Sequence, residues 1–115
     1  MKKIILVMLV SLIGITVQAQ EKKKNKNAKV EFRVEGNCEM CKKRIEAAAF
    51  SVKGVKSVDW HTEHKDIHLI IDENKCSKED VAKAIAKVGH DSEYAKAPDE
   101  VYEELHGCCQ YERIE

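Results

Sequence analysis

Apolar and polar residues alternate at the start of the folded region. Val30, Phe32 and Val34 fall on one side and Glu31, Arg33 and Glu35 on the other, predicting a strand with one buried face. Past Cys41 the period changes. Ile45, Ala48, Ala49 and Val52 recur at i, i+3, i+4 and i+7 while Lys42, Lys43, Arg44 and Glu46 face away, predicting an amphipathic helix that ends near Lys53 and Gly54. Val55 to Trp60 resumes a strand, the wholly polar run His61 to Lys65 is a hairpin connection, and Ile67, Leu69 and Ile71 mark the returning strand. Ser77 with Asp80 three residues on resembles a capping box, and Val81, Ala84, Ile85 and Val88 give a second helix its apolar face, stopped at Gly89. His90 to Ala97 is read as a short last strand. Pro98, Asp99 and Glu100 suit a helix start, and a short third helix runs to about His106 with Gly107 as its cap.

The order strand, helix, strand, strand, helix, strand predicts an α+β fold of ferredoxin-like βαββαβ type. It is a four-stranded antiparallel sheet with two helices on one face, here with a short C-terminal helix added. The ends of the chain lie outside that core. Lys2 and Lys3 precede a nearly continuous apolar run from Ile4 to Val17, and Val17-Gln18-Ala19 offers small residues for a signal peptidase, so residues 1–19 read as a signal peptide cleaved near Ala19. The run is shorter than the roughly 20 residues that a spanning helix requires. Residues 20–27 are lysine-rich and without period, a flexible basic linker. The expected product is exported, periplasmic or secreted, with one domain at 28–97 and a helical extension at 98–115.

Charge narrows the partners. Removal of the two lysines leaves 18 basic against 20 acidic residues, which offers no footprint for nucleic acid. The chemistry instead lies in five cysteines. Cys38 and Cys41 form a C-x-x-C where strand gives way to helix, and there the positive end of the helix dipole favours thiolate, the form that binds metal. Cys108 and Cys109 follow the third helix as candidate additional ligands, or pair with Cys76, or stay free. His61, His64, His68 and His106 read as ordinary surface imidazoles, and Trp60 as core. No nucleophile motif or phosphate-binding glycine loop is present, so no enzyme is expected.

With the cysteine pair in the first strand-to-helix loop of this element order, residues 28–97 resemble a heavy-metal-associated domain. That family includes copper chaperones, the N-terminal domains of metal-transporting ATPases and periplasmic mercury-binding proteins. Its usual loop is Gly-Met-x-Cys-x-x-Cys; here Gly36-Asn37-Cys38 is one residue shorter and lacks the methionine, and Met40 is not a positional substitute. The resemblance implies metal-binding roles for Cys38 and Cys41 and places His90 beside the site as a supporting residue. It also implies a soft ion held by two thiolates and passed by ligand exchange to a metal-transporting membrane protein or another metal-binding domain. Cu(I) is the expected ion, with Zn(II), Hg(II) or Cd(II) as alternatives. The chain is expected as a monomer or a metal-bridged dimer. A thiol–disulfide redox protein using the same pair, and a disulfide-stapled interaction module, are the competing readings.

Overall fold

The computed structural model describes residues 24–113. The expected signal peptide and the first four linker residues lie outside them. Among the described residues no helix is long and apolar enough to cross a membrane.

The elements in order are β1 (Ala28–Arg33), α1 (Glu39–Phe50), β2 (Val55–His61), β3 (Asp66–Ile71), α2 (Lys78–Lys87), α3 (Asp99–Glu103) and a 3₁₀ turn (Gly107–Cys109). The strands form a three-stranded antiparallel sheet in the order β1-β3-β2. Alternation decides which side chains go in. Phe32, Trp60, Ile67, Leu69 and Ile71 are buried with Ile45 and Ala49 of α1 and Val81 and Ile85 of α2 in one core. Each such large apolar side chain contributes about 1.5–3 kcal/mol on burial. Trp60 is wholly buried, and its indole N–H donates to the Val34 carbonyl at 3.1 Å, so the ring's polar edge is satisfied.

Helix ends follow their local chemistry. Ser77 and Asp80 make the full capping box, each side chain accepting from the other's backbone N–H, at 2.9 and 3.3 Å. Gly89, at φ +106°, turns the chain after α2, and Leu105 packs so closely that a Cβ there would meet its Cδ2 at 2.9 Å. The linker's last residues touch the domain: Asn25 and Glu73 exchange hydrogen bonds of 2.9 Å.

Two expectations need correction. The fourth strand is reduced to one isolated bridge, Val34 with Ser92. The segment uses its polar groups locally: Ser92 N–H turns back to the Ala95 carbonyl at 2.8 Å, and the Asp91 carboxylate takes the Ala97 N–H at 2.7 Å. A ladder would need those groups facing β1. The third helix ends at Glu103 instead of about His106, and Gly107 opens the 3₁₀ turn instead of capping the helix.

Candidate metal centre

The loop Val34 to Cys38 carries the chain from β1 into α1. Gly36 lies buried against Ile45 and Trp60, where a Cβ would come within 3.1 Å of both side chains. Cys38 occupies the N-cap in an extended conformation, and its carbonyl accepts the Lys42 N–H at 2.9 Å. Cys41 is the third helical residue and is fully buried, while Met40 between them points out, 45% exposed. No side chain caps this helix, so its first N–H groups remain directed at the sulfurs.

Sulfur converges here from both ends of the domain. Cys38 Sγ stands 3.3 Å from Cys41 Sγ and 3.6 Å from Cys109 Sγ; Cys109 Sγ is 3.9 Å from Cys108 Sγ. The sulfurs of Cys38, Cys108 and Cys109 all lie within 4.8 Å of one another. All are free thiols. With metal–sulfur bonds of about 2.3 Å, ligands around a tetrahedral ion stand roughly 3.8 Å apart. The spacing of Cys38, Cys108 and Cys109 therefore fits a shared ion, with Cys41 Sγ beside Cys38 Sγ. Cys109 is wholly buried and Cys108 exposed, so the group has an inner wall and an open rim.

The tail reaches the site because it is tied to the domain. Tyr111 is buried; its hydroxyl accepts the Asp91 N–H and donates to the Gly89 carbonyl, both at 2.8 Å. The Tyr102 hydroxyl donates to the Tyr111 carbonyl. Arg113 grips the Asp91 carboxylate with two donors at 3.0 Å and lies over the Tyr102 ring. Such bidentate pairs fix orientation as well as charge. The loop that replaces the fourth strand is thus the anchor for the segment bearing Cys108 and Cys109.

The electrostatics divide the sulfurs into unlike partners. The Cys41 backbone N–H, with further contacts from the neighbouring thiols, pulls the Cys38 thiol down to about 7. Burial, reinforced by the Cys41 and Cys38 sulfurs, pushes Cys109 up to about 12. Arg44 opposes that rise at Cys109, and its Nη1 is buried without a hydrogen-bond partner. Read from sequence as part of a solvated face, Arg44 instead sets a positive charge toward the sulfurs. The only early sign was its place three residues after Cys41, one helical turn on.

His90 is completely buried. Its Nδ1 bonds the Glu35 carbonyl at 2.8 Å, its ring stacks on Tyr111 at 5.7 Å, and its Nε2 has no hydrogen-bond partner. Burial holds it below the usual imidazole range, so Nδ1 donates and the ring is neutral. It ties the cysteine loop to the tail. Cys76 lies elsewhere, its sulfur near Gly54, and burial pushes its thiol up.

No protein-family model and no curated protein matches the chain. Solved structures do. The CopZ metallochaperone is 29% identical with a TM-score of 0.55, covering 56% of this chain and 98% of its own. A copper binding domain from HMA7, a P-type ATPase, is 27% identical at TM-score 0.55, with coverage of 56% and 89%. Oxidized MerP from Ralstonia metallidurans CH34 is 30% identical at TM-score 0.55, with coverage of 57% and 93%. Fold, cysteine placement and these likenesses together define a heavy-metal-associated domain. The chain belongs to that family, and the likeness spans a little over half of its length.

Proposed function

We propose that this chain is an exported, non-enzymatic carrier or scavenger of a soft metal ion, Cu(I) before Zn(II), Hg(II) or Cd(II). Cys38 and Cys41 are the primary ligands, and Cys109 and Cys108 close the coordination from the tail. The convergence of four sulfurs from positions some seventy residues apart carries the reading. Thiolates select soft ions over hard ones. The copper-binding description of one structural relative, the domain from HMA7, supports the choice of ion. Cys38, partly exposed and with its thiol drawn down to about 7, takes the ion first; Cys109, pushed up to about 12, gives up its proton only as it binds.

Delivery to a metal-transporting membrane protein or another metal-binding domain proceeds by exchange. An incoming thiolate enters at the open rim, displaces Cys108 and then Cys109, and the ion crosses without entering water. Arg44 offsets part of the negative charge that several thiolates around one monovalent ion leave behind.

The test is anaerobic titration of reduced protein with Cu(I), Zn(II) and Hg(II), read by native mass spectrometry and X-ray absorption. One ion per chain is expected at the cysteines, with three or four sulfur neighbours. Cys108→Ser/Cys109→Ser should keep the ion with fewer sulfurs, and Cys76→Ser should change nothing. Unchanged uptake in Cys38→Ser/Cys41→Ser would remove the carrier reading.

The depressed Cys38 thiol also supports a redox reading. Its thiolate attacks a partner disulfide and releases one partner thiolate; Cys41 or Cys109, as thiolate, then displaces the second and closes an internal disulfide. Insulin reduction that depends on Cys38, without metal uptake, would favour that alternative.

A further inference from the structure

The face of the sheet turned away from the helices carries a second group of ligands. The register of β2 with β3 sets His61 opposite Asp66 and Asp59 opposite His68, and that of β1 with β3 sets Glu31 opposite His68. Residues two apart on a strand share a face. Because Trp60 and Ile67, between them in sequence, are wholly buried, these five polar side chains stand together on the outer surface.

Their arrangement is directional. The His61 and His68 rings stack at 4.6 Å, 24° from parallel. His61 Nδ1 lies 3.7 Å from Asp66 Oδ1, and His68 Nε2 lies 2.8 Å from Asp66 Oδ2. The other nitrogen of each ring is held by a different carboxylate: His61 Nε2 by Asp59 at 2.9 Å and His68 Nδ1 by Glu31 at 3.0 Å. Metal-ligating histidines hold their far nitrogen on a carboxylate in this way. At His68 the near Nε2 also bonds Asp66 Oδ2 at 2.8 Å, so a metal there would replace the proton between them. Asp66 Oδ1 adds a second sign. It is buried, without a hydrogen-bond partner, and 3.7 Å from His61 Nδ1.

We propose that His61, Asp66 and His68 form a binding site for a borderline divalent cation of the Zn(II) or Cu(II) class, separate from the sulfur cluster. One donor atom from each residue already lies within 4.8 Å of the others. Around a tetrahedral ion with bonds of about 2.1 Å, donors stand roughly 3.4 Å apart. Rotation of the imidazoles closes that gap while the paired strands hold the backbones fixed. Two nitrogens and an oxygen suit borderline divalent ions and are poor ligands for Cu(I) or Hg(II), so the two sites sort ions by softness. Asp59 and Glu31 are positioning residues that fix the ring orientations.

The experiment is titration of the reduced full chain with Zn(II), followed by NMR of the histidine imidazoles. This readout does not pass through sulfur, so failure of Cu(I) uptake at the cysteines leaves it intact. The expected result is that His61 and His68 resonances shift together with saturation while that of His64 stays. His61→Asn, His68→Asn and Asp66→Asn should each weaken this binding by roughly tenfold or more, since even outer partners of a ligand cost about 10–100-fold. His64→Asn, in the adjacent turn, should leave it unchanged. Zn(II) that saturates the protein without moving both imidazoles, or that moves the remaining imidazole equally well in His61→Asn or in His68→Asn, overturns the proposal.

Discussion

The sulfurs of Cys38 and Cys109 lie 3.6 Å apart yet should differ sharply in reactivity. Cys38 is drawn down to about 7 from 9.0 by the Cys41 N–H, so about half of it is thiolate at pH 7, against roughly 1% for an ordinary thiol. Nucleophilicity falls with pKa at a Brønsted slope of about 0.4–0.5, which costs Cys38 roughly eightfold. The net advantage over an ordinary thiol is then only about sixfold at pH 7. Cys109, raised to about 12, is thiolate in roughly one molecule in 10⁵, and its greater intrinsic nucleophilicity recovers about two of those five decades. Cys38 should therefore alkylate between two and three orders of magnitude faster than Cys109, before burial slows Cys109 further. The assay is a short iodoacetamide pulse on reduced protein from pH 5 to 9, with each cysteine quantified by tandem mass spectrometry. The sign follows from the acid: Cys38 modification should rise as pH climbs to about 7 and level off above it. Below that midpoint metal must also displace a proton from Cys38, which adds up to about a decade per pH unit to the fall in affinity. A Cys38 midpoint near 9.0, or equal rates at the two sites, would refute the reasoning.

Two further variants probe the anchor of the tail. Tyr111→Phe leaves the Asp91 N–H and the Gly89 carbonyl without their partner, costing about 1–3 kcal/mol in urea unfolding and exposing Cys109 to alkylation; unchanged stability and protection would show that the hydroxyl does not hold the tail. Gly89→Ala combines positive φ with a Cβ 2.9 Å from Leu105, so a loss of about 1–3 kcal/mol is expected. In a domain of this size that is a fall of roughly 4–8 °C in Tm per kcal/mol, and an unaltered melting curve would contradict the strain.

Period alone was enough for β1, α1, β2, β3 and α2, because each has one face in the core and the other in water. Their order with the cysteine pair was enough for the family. The fourth strand failed because His90 to Ala97 has no such two-faced pattern to enforce a ladder: His90 and Asp91 turn inward to bind Glu35, Ala97 and Arg113. Cys109 was legible as a candidate but not as a neighbour of Cys38, since only the long-range anchor of Tyr111 and Arg113 brings it there. The histidine pair was hidden for a related reason. His61 and His68 become adjacent only through the register of the hairpin, which a turn of wholly polar residues does not declare. Arg44 was misread because a basic residue on an amphipathic helix ordinarily faces solvent.

The reduced fourth strand also alters the margin of the sheet. Arg33 N–H is bound by the Glu93 carboxylate and its carbonyl by the Glu93 N–H, but the contact along β1 stops there. From Ala28 to Phe32 no strand lies alongside β1 on that side among the described residues. Unpaired main-chain groups on such a border invite another extended chain to dock edge to edge, and the charged, exposed Lys29 and Glu31 discourage self-association there. Neutralising both residues should make the chain more prone to aggregate edge to edge through its own backbone.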